Sequence, residues 1–193
     1  VPLGVADAPA QVVAERGDAR LIVRWSAPGN DGGLPIVDYR VQSSTDGGIT
    51  WIPIVRAPSA QCETPVVGLV NGTAYQFRVA AVNAAGQGEF STASNLCVPA
   101  GLPSAPGAIS GVVGDGMVSL AWSAPVQDGG DPVQDYRLEV SADAGQTWLQ
   151  VPRMAHASPT AQVSGLTSGV GYVFRVAAVN GVGMGPFSGI SSV

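Results

Sequence analysis

The sequence predicts an all-β protein built from two tandem seven-stranded β-sandwiches. Three observations carry this expectation: aromatic residues that recur at a fixed offset, short apolar stretches that alternate, and turn residues spaced between them.

The offset is 97 positions and pairs Trp25 with Trp122, Trp51 with Trp148, Tyr39 with Tyr136, Tyr75 with Tyr172, Phe77 with Phe174 and Phe90 with Phe187. Those six pairs account for all twelve aromatic residues, so the register is not a coincidence. It extends into ordinary positions, since Trp25-Ser26-Ala27-Pro28 returns as Trp122-Ser123-Ala124-Pro125. The run from Phe77 to Asn83 likewise returns from Phe174 to Asn180. Two modules are expected, 1–98 and 99–193, joined by the Pro-rich stretch 98–106, which is short enough to restrict bending. The chain starts at a repeat boundary and stops one residue short of two periods, as a stretch cut from a longer array would.

Strands follow in order within each repeat. Residues 21–25 and 38–42 alternate apolar and polar as half-buried strands do, and residues 75–82 form another. Gly17-Asp18, Asn30-Asp31-Gly32-Gly33, Asp46-Gly47-Gly48 and Asn71-Gly72 separate the strands as turns. About seven short strands per repeat of ~100 residues make a sandwich that can bury its own core.

Composition bounds the function. The formal charge of −5 and pI near 4.6 argue against nucleic acid, whose binding needs clustered cations. No apolar run approaches the ~20 residues of a membrane helix, so direct insertion is not expected. All nine basic residues are Arg, which removes Lys-based Schiff-base chemistry and Lys–Asn isopeptide crosslinks. The same bias suggests a GC-rich bacterial source. His156 is the only histidine and lies in a polar loop, where it is expected to be solvated; triad and His-metal chemistry are scarcely available. Asp128 and Asp131 supply too few oxygens for a calcium site. No catalytic residue, cofactor or metal is expected.

The chain resembles the fibronectin type III family over essentially its whole length. Trp25 on the second strand, Tyr39 on the third and Leu69 six residues before Tyr75 carry the resemblance, as do Trp122, Tyr136, Leu166 and Tyr172. Leu69 with Tyr75, and Leu166 with Tyr172, look like the tyrosine corner, in which a phenol oxygen bonds backbone and fixes the crossover between sheets. Asn83, Gly86 and Ser91, with Asn180, Gly183 and Ser188, are also family-like. Neither repeat has the cysteine pair of an antibody-type domain.

Two motifs suggest binding sites. Arg16-Gly17-Asp18 spells an integrin-recognition tripeptide, but the resemblance places it between the first two strands, whereas the family's adhesive loop lies between the last two. The second repeat keeps Gly114-Asp115 and replaces Arg16 by Val113, so the turn explains Gly and Asp and leaves only Arg16 unaccounted for. The segments 44–51 and 141–148 match the Asp-box pattern, with Asp46, Gly48 and Trp51 and with Asp143, Gly145 and Trp148. The pattern is known from sialidase propellers, where it too is a hairpin device. An Asp carboxylate caps loop N–H groups, Gly takes φ > 0, and Trp packs over the hairpin.

Cys62 and Cys97 are an even pair. The inferred topology puts them at opposite poles, beyond the ~7 Å Cα separation a disulfide tolerates. Free thiols, an intramodule bond and an intermodule or intersubunit bond all stay open.

The expected function is therefore a non-catalytic spacer, stalk or adhesive array of an extracellular or cell-surface protein, bacterial in origin. A filament subunit that polymerises at the repeat boundary is the second reading, and an accessory region of a secreted glycan-degrading enzyme the third. The expected partners are other modules of the array or identical subunits, with a cell-surface protein or glycan as a further candidate. Because the aromatics are assigned to core or hairpin positions, the pair itself is expected to have no sugar affinity.

Overall fold

The computed structural model describes residues 3–191. Its regular structure there is all strand. The first unit has β1 Ala10–Arg16, β2 Arg20–Ser26, β3 Asp38–Ser44, β4 Ile52–Pro53, β5 Glu63–Val67, β6 Gln76–Asn83 and β7 Gly86–Phe90. The second has β8 Ile109–Gly114, β9 Met117–Trp122, β10 Asp135–Ser141, β11 Leu149–Gln150, β12 Thr160–Ser164, β13 Val173–Val179 and β14 Met184–Phe187. Each unit stacks a three-stranded sheet on a four-stranded one. The orders are β1-β2-β5 with β4-β3-β6-β7, and β8-β9-β12 with β11-β10-β13-β14. All pairings are antiparallel.

Alternation sets the inner faces. Along β2, Leu21, Val23 and Trp25 are buried while the intervening residues reach the surface. Phe77 and Val79 enter the same core from β6. Trp25 meets Tyr39 edge-on at 5.2 Å, and Trp122 meets Tyr136 at the same 5.2 Å in the second unit. Such edge contacts add about 0.5–1.5 kcal/mol beyond the area they bury.

The Asn30–Gly33 turn needs its glycine twice over. Gly32 has φ +73°, and a Cβ there would stand 2.2 Å from the Gly4 carbonyl oxygen. Gly129 repeats both features against Gly101, with φ +81° and 2.2 Å. Asn83 completes this pole, its side-chain amide donating to the Gly4 and Asp31 carbonyls at 2.8 and 2.7 Å. Asn180 does the same for Gly101 and Asp128, at 2.8 Å each.

The units divide between Ala100 and Gly101, two residues later than the repeat period suggests. The reason is local. Pro99 and Ala100 are buried in the first unit, where the Pro99 carbonyl accepts from Gly72 N–H at 2.9 Å and Ala100 N–H donates to the Gly17 carbonyl at 3.0 Å. Gly101 belongs to the second unit through its bond to Gly129.

Candidate functional site

In each unit a tyrosine hydroxyl bonds backbone next to a leucine. The Tyr75 hydroxyl accepts from Val70 N–H at 3.1 Å, and the Tyr172 hydroxyl from Thr167 N–H at 3.2 Å. Leu69 and Leu166 pack against the two cores beside them, and their amides donate to the Ala19 and Gly116 carbonyls. Tyr75 itself lies just before β6 and exchanges both backbone bonds with Cys97, at 2.9 Å each.

Arg16-Gly17-Asp18 sits at this same pole. Asp18 accepts from the Asn71 side-chain amide at 2.8 Å, and the Asn71 oxygen accepts from Ala19 N–H at 2.8 Å. Gly17 donates to Arg20 and accepts from Ala100. Arg16 lies near Cys97, where its charge works against the effect of burial, which pushes the Cys97 thiol up. Gly17 and Asp18 thus tie the tripeptide to its own module, and Arg16 stands opposite Leu21 in the β1–β2 ladder.

The Asp-boxes are self-contained turns. Asp46 accepts from the Ser44 hydroxyl at 2.7 Å, from Thr50 N–H at 2.9 Å and from the Thr50 hydroxyl at 2.6 Å. Asp143 accepts from the Ser141 hydroxyl and the Thr147 hydroxyl at 2.6 Å each, and from Thr147 N–H at 2.8 Å. Hydrogen bonds favour the ionised form, so both carboxyls are held down to about 2, chiefly by Thr50 for Asp46 and by Ser141 for Asp143. Gly48 and Gly145 donate to Ser44 and Ser141 at 2.9 and 2.8 Å. Trp51 closes its hairpin by donating to the Gly48 carbonyl at 2.9 Å.

Both tryptophans also do something the sequence did not reveal. The Arg78 guanidinium lies between Trp51 and Phe90, 4.5 and 4.4 Å from the ring centroids. Arg175 lies between Trp148 and Phe187 at 4.2 and 4.3 Å. Three strands or hairpins of the four-stranded sheet therefore meet at one cation on the outer face. The in-plane partner differs: Arg78 donates to the neutral Gln42 at 2.8 Å, Arg175 to the buried Glu139 carboxylate at 2.8 and 2.6 Å. The signal available was the repeated Phe-Arg pair at 77–78 and 174–175.

A second arginine was also missed. Arg56 donates to Asp38 at 3.0 Å, to the Tyr39 carbonyl at 2.8 Å and to the Ser59 carbonyl at 3.2 Å, closing the loop after β4 over the buried Asp38. Arg153 pairs with Asp135 at 3.1 Å, with the Tyr136 carbonyl and with the His156 ring at 2.8 Å. His156 is exposed in its loop, as expected, but it is not without partners. It accepts from a guanidinium, and its backbone N–H donates to Asp135 at 3.1 Å.

Cys62 and Cys97 are both free thiols in this structure. The Cys62 sulfur lies 3.5 Å from the Tyr39 hydroxyl, whose pKa burial and this thiol together raise. Cys62 accepts from Trp25 at the far end of β2, while Cys97 pairs with Tyr75 at the opposite pole. Among the described residues no group of three or more His, Cys, Asp or Glu side chains gathers at a metal-binding distance. Asp128 accepts from Gly130 N–H within its own turn.

Fold and site together define a pair of seven-stranded sandwich modules with a tyrosine corner in each. The fibronectin type III domain family matches residues 7–96 and 104–193, and the chain belongs to that family. It is 35% identical to human Myomesin-2 over 83% of this chain and 11% of that protein. It is 29% identical to rat cardiac-type myosin-binding protein C over 95% of this chain and 14% of that protein. It is also 28% identical to the striated-muscle M-protein of Gallus gallus, over 86% of this chain and 12% of that protein. The chain thus spans only about a tenth to a seventh of these curated relatives. The crystal structure of chicken CNTN1 FN1-FN3 domains shares the fold at TM-score 0.50 and 21% identity, covering 96% of this chain and 65% of that one.

These relatives correct one expectation. A bacterial, extracellular or cell-surface origin was read from composition and fold; the relatives are animal proteins named for muscle and myosin. An Arg-only cation set carries no physical information about compartment.

Proposed function

We propose that the chain is a non-catalytic, load-bearing pair of modules within a longer tandem array, with protein partners rather than a small-molecule substrate. The observation that carries this reading is where the reactive groups are used. Asp46, Asp143, Tyr75 and Tyr172 each bond the hydroxyls or backbone of their own turn or corner, so their chemistry is spent on holding loops in place. The partners are other sandwiches of the array or identical chains. The name of one relative adds myosin as a candidate partner for such an array. Force spectroscopy of the 193-residue chain tests the reading. Two unfolding steps of similar length are expected, each about 30 nm at ~3.4 Å per residue. One combined step, or extension without a force barrier, would contradict it.

A further inference from the structure

Gln42 and Glu139 hold the same place in the two repeats and leave the arginines around them in different states. Glu139 is buried on β10, where it accepts from Arg175 at 2.8 and 2.6 Å and from Arg137 at 3.1 Å. One carboxylate therefore serves two guanidiniums within the second module. In the first module Gln42 accepts from Arg78 at 2.8 Å but brings no charge. Arg40, the counterpart of Arg137, is left 59% exposed, with Asp38 as its ionic partner at 3.6 Å. That carboxylate is already engaged, since its other oxygen accepts from Arg56 and from Ser59 N–H at 3.0 Å each.

Arg40 stands in a groove of about 340 Å³ that runs between the β4 side of the sheet and β7. Gln42, Pro53, Val55, Gln87 and Phe90 contribute to its walls. Polar and apolar groups alternate there: Val55 is 98% exposed, and Phe90 is the ring stacked on Arg78. Among the described residues no acceptor takes the Gln42 side-chain N–H groups. Glu89, the acidic residue of β7, is not among the walls. A forked guanidinium beside a neutral amide donor suits a singly charged, planar carboxylate better than a phosphate.

We infer that this groove takes the carboxylate of an Asp or Glu in an extended segment of a protein partner, with an apolar neighbour against Phe90 and Val55. Arg40 and the Gln42 amide donate to that carboxylate, as Arg137 and Arg175 donate to Glu139 in the second module. The second module takes no such segment at this place, because Glu139 supplies the carboxylate from within. The repeat thus carries one face in two forms, one closed by its own acid and one that recruits an acid from outside. This inference rests on the reading of the chain as modules with protein partners, and names the chemistry of one such partner.

The test titrates acetyl-Val-Glu-Val-amide into the 193-residue chain and follows the Arg40 Nε–H and Gln42 side-chain amide signals by NMR. Saturable shifts are expected at millimolar peptide. The same peptide with Gln in place of Glu should bind at least about fivefold more weakly, and Arg137 Nε–H should move with neither. Arg40→Gln should lose binding. Gln42→Glu should lose it as well without lowering the unfolding midpoint, because the new carboxylate pairs Arg40 and Arg78 from within. Equal binding of the two peptides, no saturable shift, or undiminished binding by Gln42→Glu would overturn the site. Two force-spectroscopy steps would still appear in that event, so the array reading fails or survives separately.

Discussion

The Tyr75 hydroxyl accepts a hydrogen bond from Val70 N–H at 3.1 Å, joining the last turn before β6 to the strand that follows it. The equivalent bond, Tyr172 to Thr167, is 3.2 Å long. A neutral bond of this kind contributes about 0.5–1.5 kcal/mol, and its loss leaves an amide without a partner. Replacing Tyr75 or Tyr172 with Phe should destabilise the corresponding module by about that amount. Denaturant midpoints of the single and double variants check this, and the effects should add, because the two sites share no partner.

Arg78 and Arg175 are stacked alike but paired differently. Each cation–aromatic contact is worth about 0.5–1 kcal/mol at a partly exposed site, so Arg78→Ala should cost about 1–2 kcal/mol. Arg175→Ala should cost more, because it also strips one guanidinium from the buried Glu139, leaving Arg137 as the remaining partner at 3.1 Å. Adding Glu139→Gln to Arg175→Ala should recover part of the difference. Equal losses for the two arginines would contradict the pairing.

The Asp-boxes give a pH signature. Asp46 and Asp143 are held at about 2 in the folded chain, against about 4 for an unfolded Asp. Folded values below the unfolded ones mean the stabilisation is complete above pH ~4 and is lost as pH falls toward ~2. Urea midpoints of the native chain should fall across that window by more than those of an Asp46→Asn, Asp143→Asn variant. Parallel curves would show that the carboxylates are not held as described.

Gly32 and Gly129 have no tolerance for a side chain. Positive φ and a carbonyl oxygen 2.2 Å from any Cβ act together, so Gly32→Ala or Gly129→Ala should destabilise by about 1–3 kcal/mol or more. Gly68→Ala makes the control, since its φ is also positive at +73° but nothing lies within 4 Å. Calorimetric midpoints should place Gly68→Ala well above Gly32→Ala.

Much of this architecture was legible in the sequence because it depends on local period. Leu21, Val23 and Trp25 announce their strand by alternation, and the Leu69-to-Tyr75 spacing announces the corner. The Asp-box hydrogen bonds are local, between residues no more than four apart, so the sequence displays both partners together. What stayed hidden depends on sheet pairing. Arg78 reaches Trp51 and Phe90 only because β6 lies between β3 and β7. Likewise the Asn95 side chain, far from Ala14 in sequence, bonds both its N–H and its carbonyl at 2.9 and 3.2 Å. The closure of the first pole by 97–100 was obscured for a different reason: Cys97 drew attention as a sulfur, while its structural role lies in its backbone. Source and compartment were misread because an Arg-only cation set and a sandwich fold have no necessary link to where a protein works.

The account turns on two modules that share one frame, each held by its own tyrosine corner, and amide exchange tests this most directly. Val70 and Thr167 N–H, each bonded to a tyrosine hydroxyl, should be comparably protected, and Tyr75→Phe should speed exchange at Val70 by up to about tenfold while leaving Thr167 unchanged. Faster exchange at both amides in that single variant, or at neither, would contradict it.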